Sequence, residues 1–235
     1  MNSNQKYNDT SINDQRVAIF IDGSNLYHSL EENCKRFDLD FAAFSKKLSK
    51  GRKIYRTYYY NVLRDAERNT QAYLDQQKFL SVLYSTPYLE VRLGESKIRG
   101  DTAVEKGIDI MLATDLLKFA WNDLYDIAIL VSGDGDFSYA VKAVKDTGKH
   151  VELAAFPSNL SSDLSNIADD REFFSPTYFK GLWTRKRTKS RKSSRPGDNS
   201  RRSGYRPRSN NSDSVSQEQR TSGATTNQPH QQTLV

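Results

Sequence analysis

Several carboxylates follow apolar runs that are typical of buried strands. Residues 127–131 are five consecutive apolar residues, the pattern expected of a strand that is buried on both faces. Asp134 and Asp136 come shortly after this run, and Asp22 ends a second run at residues 16–21. Because the carboxyl ends of parallel strands meet at one edge of a sheet, we expect these acids to lie close together there. Clustered carboxylate oxygens are typical ligands of hard cations.

Two further residues can join this group. Asp109 begins an amphipathic helical pattern that leads into the strand at 127–131, and it reaches the same edge only if the preceding strand also runs toward that edge. Asn25 would orient a ligand or a water without adding charge. Each residue alone also fits a local role as a helix cap, a turn residue or a first-turn acid. Together they favour a bound cation, because clustered carboxylates repel one another and a cation offsets this repulsion.

Strand and helix patterns alternate along the chain and predict an α/β fold with a mainly parallel central sheet. The predicted strands are residues 16–21, 53–62, 88–93, 127–131 and, as the last one, 150–156. Helical patterns follow Asn25 and Asp40 and continue at residues 70–84, 108–120, 137–147 and 160–168. A charged loop is predicted at 94–104, and the aromatic stretch 173–183 is predicted to pack back onto the domain. Asp115 lies about 240° around the helix from Asp109 and is predicted to be a surface charge.

Charge is distributed unevenly along the 235 residues. Residues 1–179 contain 22 Lys and Arg and 26 Asp and Glu, a net charge of −4, whereas residues 180–235 carry +10. Polar composition predicts a disordered arm at residues 1–15 and a disordered tail, basic and then polar, at 184–235. The folded domain is therefore predicted at residues 16–183. The basic tail favours RNA contact through counterion release, and a solubilising role fits the same composition.

Other features narrow the class of protein. A single cysteine, Cys34, excludes an intrachain disulfide. The sequence has neither an apolar run of about 18 residues nor a charged-then-apolar leader, which predicts a cytoplasmic protein with no membrane partner. The glycine pattern of a dinucleotide site is absent. Ser24 stands where a haloacid-dehalogenase phosphatase would need a second aspartate.

Three blocks of sequence resemble, in this order, the NYN domain family, in its LabA-like branch of the PIN-like nucleases. They are residues 20–26 (FIDGSNL), 106–109 (KGID) and 131–137 (VSGDGDF), and the resemblance covers about residues 16–170. It implies a PIN-like three-layer α/β/α sandwich and metal-dependent cleavage of RNA. Tyr139 departs from the pattern, since many relatives have a proline at this position.

Carried over position by position, the resemblance implies an acidic metal site for Mg²⁺ or Mn²⁺. Its catalytic and metal-binding residues would be Asp22, Asp109, Asp134 and Asp136, with Asn25 as the catalytic amide companion. Contacts with nucleic acid are predicted for Lys106, Arg185, Lys186, Arg187, Lys189, Arg191 and Lys192. For Lys106 the role of a solvated lysine at a helix start fits equally well.

The predicted function is that of a metal-dependent ribonuclease that acts on single-stranded or structured RNA. A homo-oligomer is compatible with the sequence. The alternative is a non-catalytic RNA-binding or regulatory module with a vestigial metal site. The four acids favour the enzyme, because binding alone would not require all of them.

Overall fold

The computed structural model describes residues 14–99 and 102–184, with backbone alone for residues 95–99 and 102–106. The predicted arm and basic tail lie almost entirely outside the described residues. Seven strands occur in the described part: β1 (Arg16–Asp22), β2 (Lys53–Val62), β3 (Leu89–Arg99), β4 (Thr102–Lys106), β5 (Ile127–Val131), β6 (His150–Ala155) and β7 (Asp170–Phe173). They form one sheet in the order β4-β3-β2-β1-β5-β6-β7.

Six of these strands are parallel, and β4 alone pairs antiparallel, with β3. Six helices connect them: α1 (Gly23–Cys34), α2 (Phe41–Leu48), α3 (Thr70–Tyr84), α4 (Ile108–Trp121), α5 (Ser138–Asp146) and α6 (Ser162–Ile167). Two 3₁₀ turns, Gly135–Phe137 and Pro157–Asn159, lie on either side of α5 and β6. Among the described residues no helix is long and apolar enough to cross a membrane.

The core lies on both faces of the sheet because successive residues of β1 point to opposite sides. Val17, Ile19 and Ile21 pack with side chains of α1, α2 and α3, whereas Ala18 and Phe20 pack with those of α4, α5 and α6. All five are fully buried, as expected for a strand in a parallel sheet that is covered by helices on both faces. The predicted three-layer α/β/α sandwich with a mainly parallel sheet is confirmed.

Two predictions about the sheet edges are wrong. Part of the stretch 94–104, predicted as a charged loop, belongs to β3 and β4, which pair antiparallel from Glu95 with Lys106 to Arg99 with Thr102. The strand at 150–156 is also not the last one, since β7 pairs with β6 beyond it. Both β4 and β7 are short and rich in charged residues, which edge strands tolerate. Because of this composition, hydrophobic periodicity does not reveal them in the sequence.

The aromatic stretch after β7 packs back onto the domain, as predicted. Phe174 and Phe179 are buried in the core against Phe44, and Trp183 forms a backbone bridge with Leu39. These contacts close the layer that contains α1, α2 and α3. The packed layer thus includes Trp183.

Candidate functional site

The site is built at the carboxyl ends of β1 and β5, the two central strands of the sheet. Ile21 pairs with Val131, so the next residues, Asp22 and Ser132, emerge level with each other. Asp22 is also the N-cap of α1, since its side chain accepts a hydrogen bond from the backbone N–H of Asn25 at 3.0 Å. The strand-to-helix turn thereby fixes the first acid of the site, because aspartate is a favoured N-cap residue.

Asp22 is held by two hydrogen bonds in a largely dry position. Its second carboxylate oxygen, Oδ2, accepts a hydrogen bond from the hydroxyl of Ser132 at 3.0 Å, and the residue is only 8% exposed. Burial raises the pKa of Asp22; the hydrogen bonds from Asn25 and Ser132 oppose this effect, and the negative charges of Asp109 and Asp134 add to it. The structure thus keeps a carboxylate where desolvation disfavours its charge.

Ser132 also connects Asp22 to the loop that follows β5. Its Oγ accepts a hydrogen bond from the N–H of Asp134 at 3.2 Å, and Oδ1 of Asp134 accepts one from the N–H of Asp136 at 3.0 Å. Asp134, rather than Asp136, is therefore the residue that caps the turn. The exposed Asp136 side chain makes no such bond within the described residues. A single hydroxyl couples the two strand ends.

Asn25 joins α1 to the same loop. Its Oδ1 accepts a hydrogen bond from the N–H of Gly133 at 3.2 Å. Gly133 is required here, since a Cβ at this position would lie 1.8 Å from the carbonyl oxygen of Asn159. Ser161 secures this close approach by donating its N–H to the Gly133 carbonyl at 2.9 Å. The loop that presents Asp134 is therefore fixed from both sides.

Asp109 lies in the first turn of α4, where a carboxylate is favoured by the helix dipole. The residue is exposed, yet partial burial of its carboxyl raises its pKa, and repulsion from Asp134 and Asp136 adds to the shift. The structure therefore brings Asp109 within electrostatic reach of Asp134 and Asp136, and Asp22 within reach of Asp109 and Asp134.

The four aspartates have no cationic side chain beside them in the described part of the chain. None of the ion pairs among the described side chains includes Asp22, Asp109, Asp134 or Asp136. Within residues 14–94 and 107–184, whose side chains the structure describes, no three His, Cys, Asp or Glu side chains converge closely enough to hold one ion. The arrangement is an open cluster of oxygen donors, not a closed cage.

The donor chemistry nevertheless fits a hydrated hard cation. Mg²⁺ retains several waters and is usually bound through one or two carboxylates together with substrate phosphate. The open cluster supplies carboxylate and amide oxygens only, with no sulfur or imidazole. The residues present therefore fit Mg²⁺ or Mn²⁺ better than a softer metal.

The predicted nucleic-acid contacts cannot be placed in the same way. Lys106 ends β4, two residues before α4 begins at Ile108, but its side chain is not described. Arg185, Lys186, Arg187, Lys189, Arg191 and Lys192 lie outside the described residues. These residues stay predictions.

Asp115 corrects one sequence prediction. The helical spacing predicts a surface charge, but Oδ2 of Asp115 accepts a hydrogen bond from the hydroxyl of Tyr60 at 3.1 Å, and its side chain is only 15% exposed. Arg92 approaches the same oxygen at 3.7 Å. Asp115 is thus tied to the sheet on the face of α4 that packs against β2. Sequence reasoning also gave no role to Ser132, since hydroxyl partners depend on the folded geometry.

One known protein family matches most of the chain. The sequence profile of the family described as "NYN domain" matches residues 16–176. The chain belongs to the NYN domain family. The matched range contains β1 and β5, and with them Asp22, Asn25, Asp109, Asp134 and Asp136. NYN domains belong to the PIN-like nuclease superfamily, so the chain carries a nuclease-type module.

Individual relatives support the same assignment. The NYN chain is 26% identical over 163 residues to the "Low amplitude and bright protein LabA" of Synechococcus elongatus, which covers 66% of this chain and 81% of LabA. A crystal structure of a protein of unknown function from Vibrio parahaemolyticus is similar, with a TM-score of 0.58 and 23% identity. The similarity covers 74% of this chain and 97% of the Vibrio protein. At this level of identity it shows a shared fold.

Proposed function

We propose that this NYN domain is a divalent-metal-dependent ribonuclease whose chemistry takes place at the carboxyl edge of the sheet. The observation that supports this most directly is Asp22, a carboxylate 8% exposed and fixed by Asn25 and Ser132. Acids with pKa values raised by burial and by neighbouring acids are characteristic of functional sites. Asp22 and Asp109 both meet this description.

The residues of the site would have two roles: binding the metal ion and positioning the groups that bind it. Asp22, Asp109, Asp134 and Asp136 would bind Mg²⁺ or Mn²⁺ with their carboxylate oxygens. Each oxygen of Asp22 accepts one hydrogen bond and keeps a further lone pair, because a carboxylate oxygen has two. A bound ion would supply Lewis-acid activation of a water nucleophile and offset negative charge on the phosphate.

Asn25 and Ser132 would act by position. Asn25 fixes the N–H of Gly133, and Ser132 fixes both the carboxylate of Asp22 and the backbone of Asp134. Acids that are already in position need not reorganise when the phosphate binds. This preorganisation supplies most of the rate enhancement of such a site. Both residues thus hold the acids in register without adding charge.

The proposed domain extends over residues 16–183, and the proposed substrate is cytoplasmic RNA. Lys106 and the cations at 185–192 would contact phosphates without reading bases. Deleting residues 185–235 should weaken RNA binding and reduce the slope of log K against log salt by about 0.7 for each lost phosphate contact. An unchanged slope would remove the tail from the binding surface.

Cleavage of a labelled single-stranded RNA tests the enzyme proposal. The full chain is assayed with Mg²⁺ or Mn²⁺ beside Asp134→Asn and a matched control, Asp146→Asn, which changes an exposed aspartate at the far end of α5. We expect Asp134→Asn to lose at least about 100-fold in rate and Asp146→Asn to cleave like the wild type. Equal cleavage by all three proteins would contradict the proposal.

A second function is supported by one observation. Because no three metal-ligating side chains converge within the described part of the chain, a non-catalytic RNA-binding or regulatory module with a vestigial metal site is the alternative. In that case, wild type and Asp134→Asn would bind the RNA equally and neither would cleave it. Binding measured on the same samples separates the two functions.

A further inference from the structure

A cavity of about 610 Å³ opens beside the acidic edge, between α1, α3 and the carboxyl end of β2. Its volume lies within the range of about 300–1,000 Å³ that is usual for small-molecule sites. Gly23 and Ser24, the two residues after Asp22, form part of its wall. The cavity and the candidate metal site therefore share the start of α1.

The floor of the cavity is aromatic. The rings of Phe41, Tyr59 and Phe79 contact one another edge to face, with centroids 5.3–5.7 Å apart. Tyr59 faces the acidic site as well, because a Cβ on Gly23 would lie 2.5 Å from its ring. Burial raises the pKa of Tyr59, and the charge of Asp22 contributes to this rise. The Tyr59 ring thus lies against the start of α1, beside the first acid of the site.

Two further rings line the cavity nearer to solvent. Tyr27 and Phe37 lie with ring centroids 5.1 Å apart and tilted by 48°, and Phe37 is 54% exposed. Tyr27 and Phe37 thus give the cavity wall an aromatic surface that solvent can reach. Exposed aromatic faces are the surfaces on which proteins stack the bases of single-stranded RNA.

The cavity wall also contains a cation. Arg64 is exposed, lines the cavity and makes no ion pair with a described carboxylate. Its backbone is fixed, because its N–H donates to Oε1 of Gln76 at 2.8 Å. Asn61 is occupied internally, since its amide donates to the Tyr59 hydroxyl and accepts from the N–H of Val62. Asp75 also lines the cavity, but Lys78 pairs with it at 2.9 Å. Among the described lining residues, Arg64 is thus the charged group that is free to meet a ligand.

We propose that this cavity binds one base of single-stranded RNA next to the phosphate at the acidic edge. The base stacks on Phe37 and Tyr27, and an adjoining phosphate meets the Arg64 guanidinium. Flat aromatic walls suit a base, and a cation on the wall suits the phosphate that accompanies it. The base is thus the part of the RNA that this cavity would hold for the proposed nuclease. Only the choice of RNA as the ligand rests on that proposed function.

Binding without cleavage tests the base site. The affinity of the full chain for a single-stranded RNA of about five nucleotides is measured in EDTA, which stops metal-dependent cleavage. Phe37→Ala is compared with Phe173→Ala, whose ring is equally exposed at 53% but lies on β7. We expect Phe37→Ala to bind about 5- to 150-fold more weakly and Phe173→Ala to bind like the wild type. Equal affinities, or no measurable binding by the wild type, would overturn the proposal.

A second pair of variants tests the phosphate contact. Arg64 and Arg68 lie in the same loop between β2 and α3, and both are exposed, but only Arg64 lines the cavity. The two changes Arg64→Gln and Arg68→Gln alter the net charge equally. We expect Arg64→Gln alone to lower the salt slope of binding, by about 0.7. The same slope in both variants would remove Arg64 from the site.

An abasic scan separates this proposal from the proposed nuclease. One nucleotide of the RNA is replaced at a time by an abasic residue, and we expect the wild type to lose affinity at one position and Phe37→Ala to show no such position. Uniform loss at all positions would overturn the base site even if the protein cleaves RNA. Binding at one position without any cleavage would keep the base site and reject the nuclease.

Discussion

The two edges of the sheet place aspartates in opposite electrostatic surroundings. At the amino edge, Asp126 accepts hydrogen bonds from the backbone N–H and the guanidinium of Arg16, both at 2.7 Å. Asp123 accepts from Arg16 and from Lys149. These bonds lower the pKa of both aspartates. At the carboxyl edge, burial and neighbouring acids raise the pKa values of Asp22 and Asp109 instead.

The difference shows which acids stabilise the fold. An aspartate whose pKa is lowered on folding favours the folded state at neutral pH, and one whose pKa is raised disfavours it. Asp126 ties the start of β5 to the start of β1, so its charge serves the sheet. The negative charges of Asp22 and Asp109 oppose folding instead. Proteins often lose stability in this way where a site is built for function.

The largest effect expected from breaking an amino-edge contact is at Arg52 and Glu152. Their side chains are only 8% and 14% exposed and form an ion pair across the start of β2 and β6. Glu152→Ala should lower the free energy of unfolding by about 3 kcal/mol, because it leaves the guanidinium buried and unpaired. Urea denaturation measures this loss.

The control replaces both partners. The double variant Arg52→Met, Glu152→Leu should recover most of the lost stability, since a buried ion pair can be replaced by apolar side chains at little cost. A loss below about 1 kcal/mol for Glu152→Ala would show that this pair does not hold the amino edge together.

Acid pH should remove the contribution of Asp126. Its pKa is lowered mainly by the hydrogen bond from Arg16, so its stabilising contribution is complete above the unfolded pKa of about 3.9 and is lost as the pH falls through the folded value. At about pH 6, Asp126→Asn should unfold about 1 kcal/mol more easily than the wild type, allowing for solvent screening.

At about pH 2, Asp126 approaches full protonation in both the folded and the unfolded protein. The difference in unfolding free energy between Asp126→Asn and the wild type should therefore be much smaller there. A gap that does not change with pH would mean that Asp126 contributes through shape and not through charge. Urea denaturation of both proteins at the two pH values measures it.

Much of the sheet could be predicted because its signals are local and periodic. The strands at 53–62 and 127–131 and the helix at 70–84 were predicted with the bounds that the structure shows. Continuous apolar runs and helical spacing are properties of neighbouring residues, so they survive in the sequence. Parallel topology then sufficed to place Asp22 and Asp134 at one edge.

What could not be predicted depends on contacts between distant segments. The edge strands β4 and β7 are stabilised by their neighbours in the sheet and not by a hydrophobic pattern of their own. The cavity combines rings from α1, α2, α3, β2 and the segment between α1 and α2, and nothing local marks Phe37 and Phe79 as neighbours of one site. The bond from Tyr60 to Asp115 links residues 55 positions apart.

The smallest but most direct test compares two aspartates on one helix. Asp109 and Asp115 both lie on α4, yet burial and neighbouring acids raise the pKa of Asp109, whereas Asp115 accepts a hydrogen bond from Tyr60. In EDTA at about pH 7, Asp109→Asn should raise the free energy of unfolding by about 0.5 kcal/mol. Asp115→Asn should lower it by about 1 kcal/mol, because it weakens the bond from Tyr60.

The effect of Asp109→Asn on stability should depend on pH. A raised pKa means that the charge of Asp109 destabilises the fold above the folded pKa and that the penalty disappears as the pH falls through that value toward the unfolded one. The gain from Asp109→Asn should therefore vanish at about pH 3, below the unfolded value. If both substitutions destabilised the protein at neutral pH, Asp109 would be a structural acid like Asp115, and the electrostatic contrast between the two edges would no longer extend to α4.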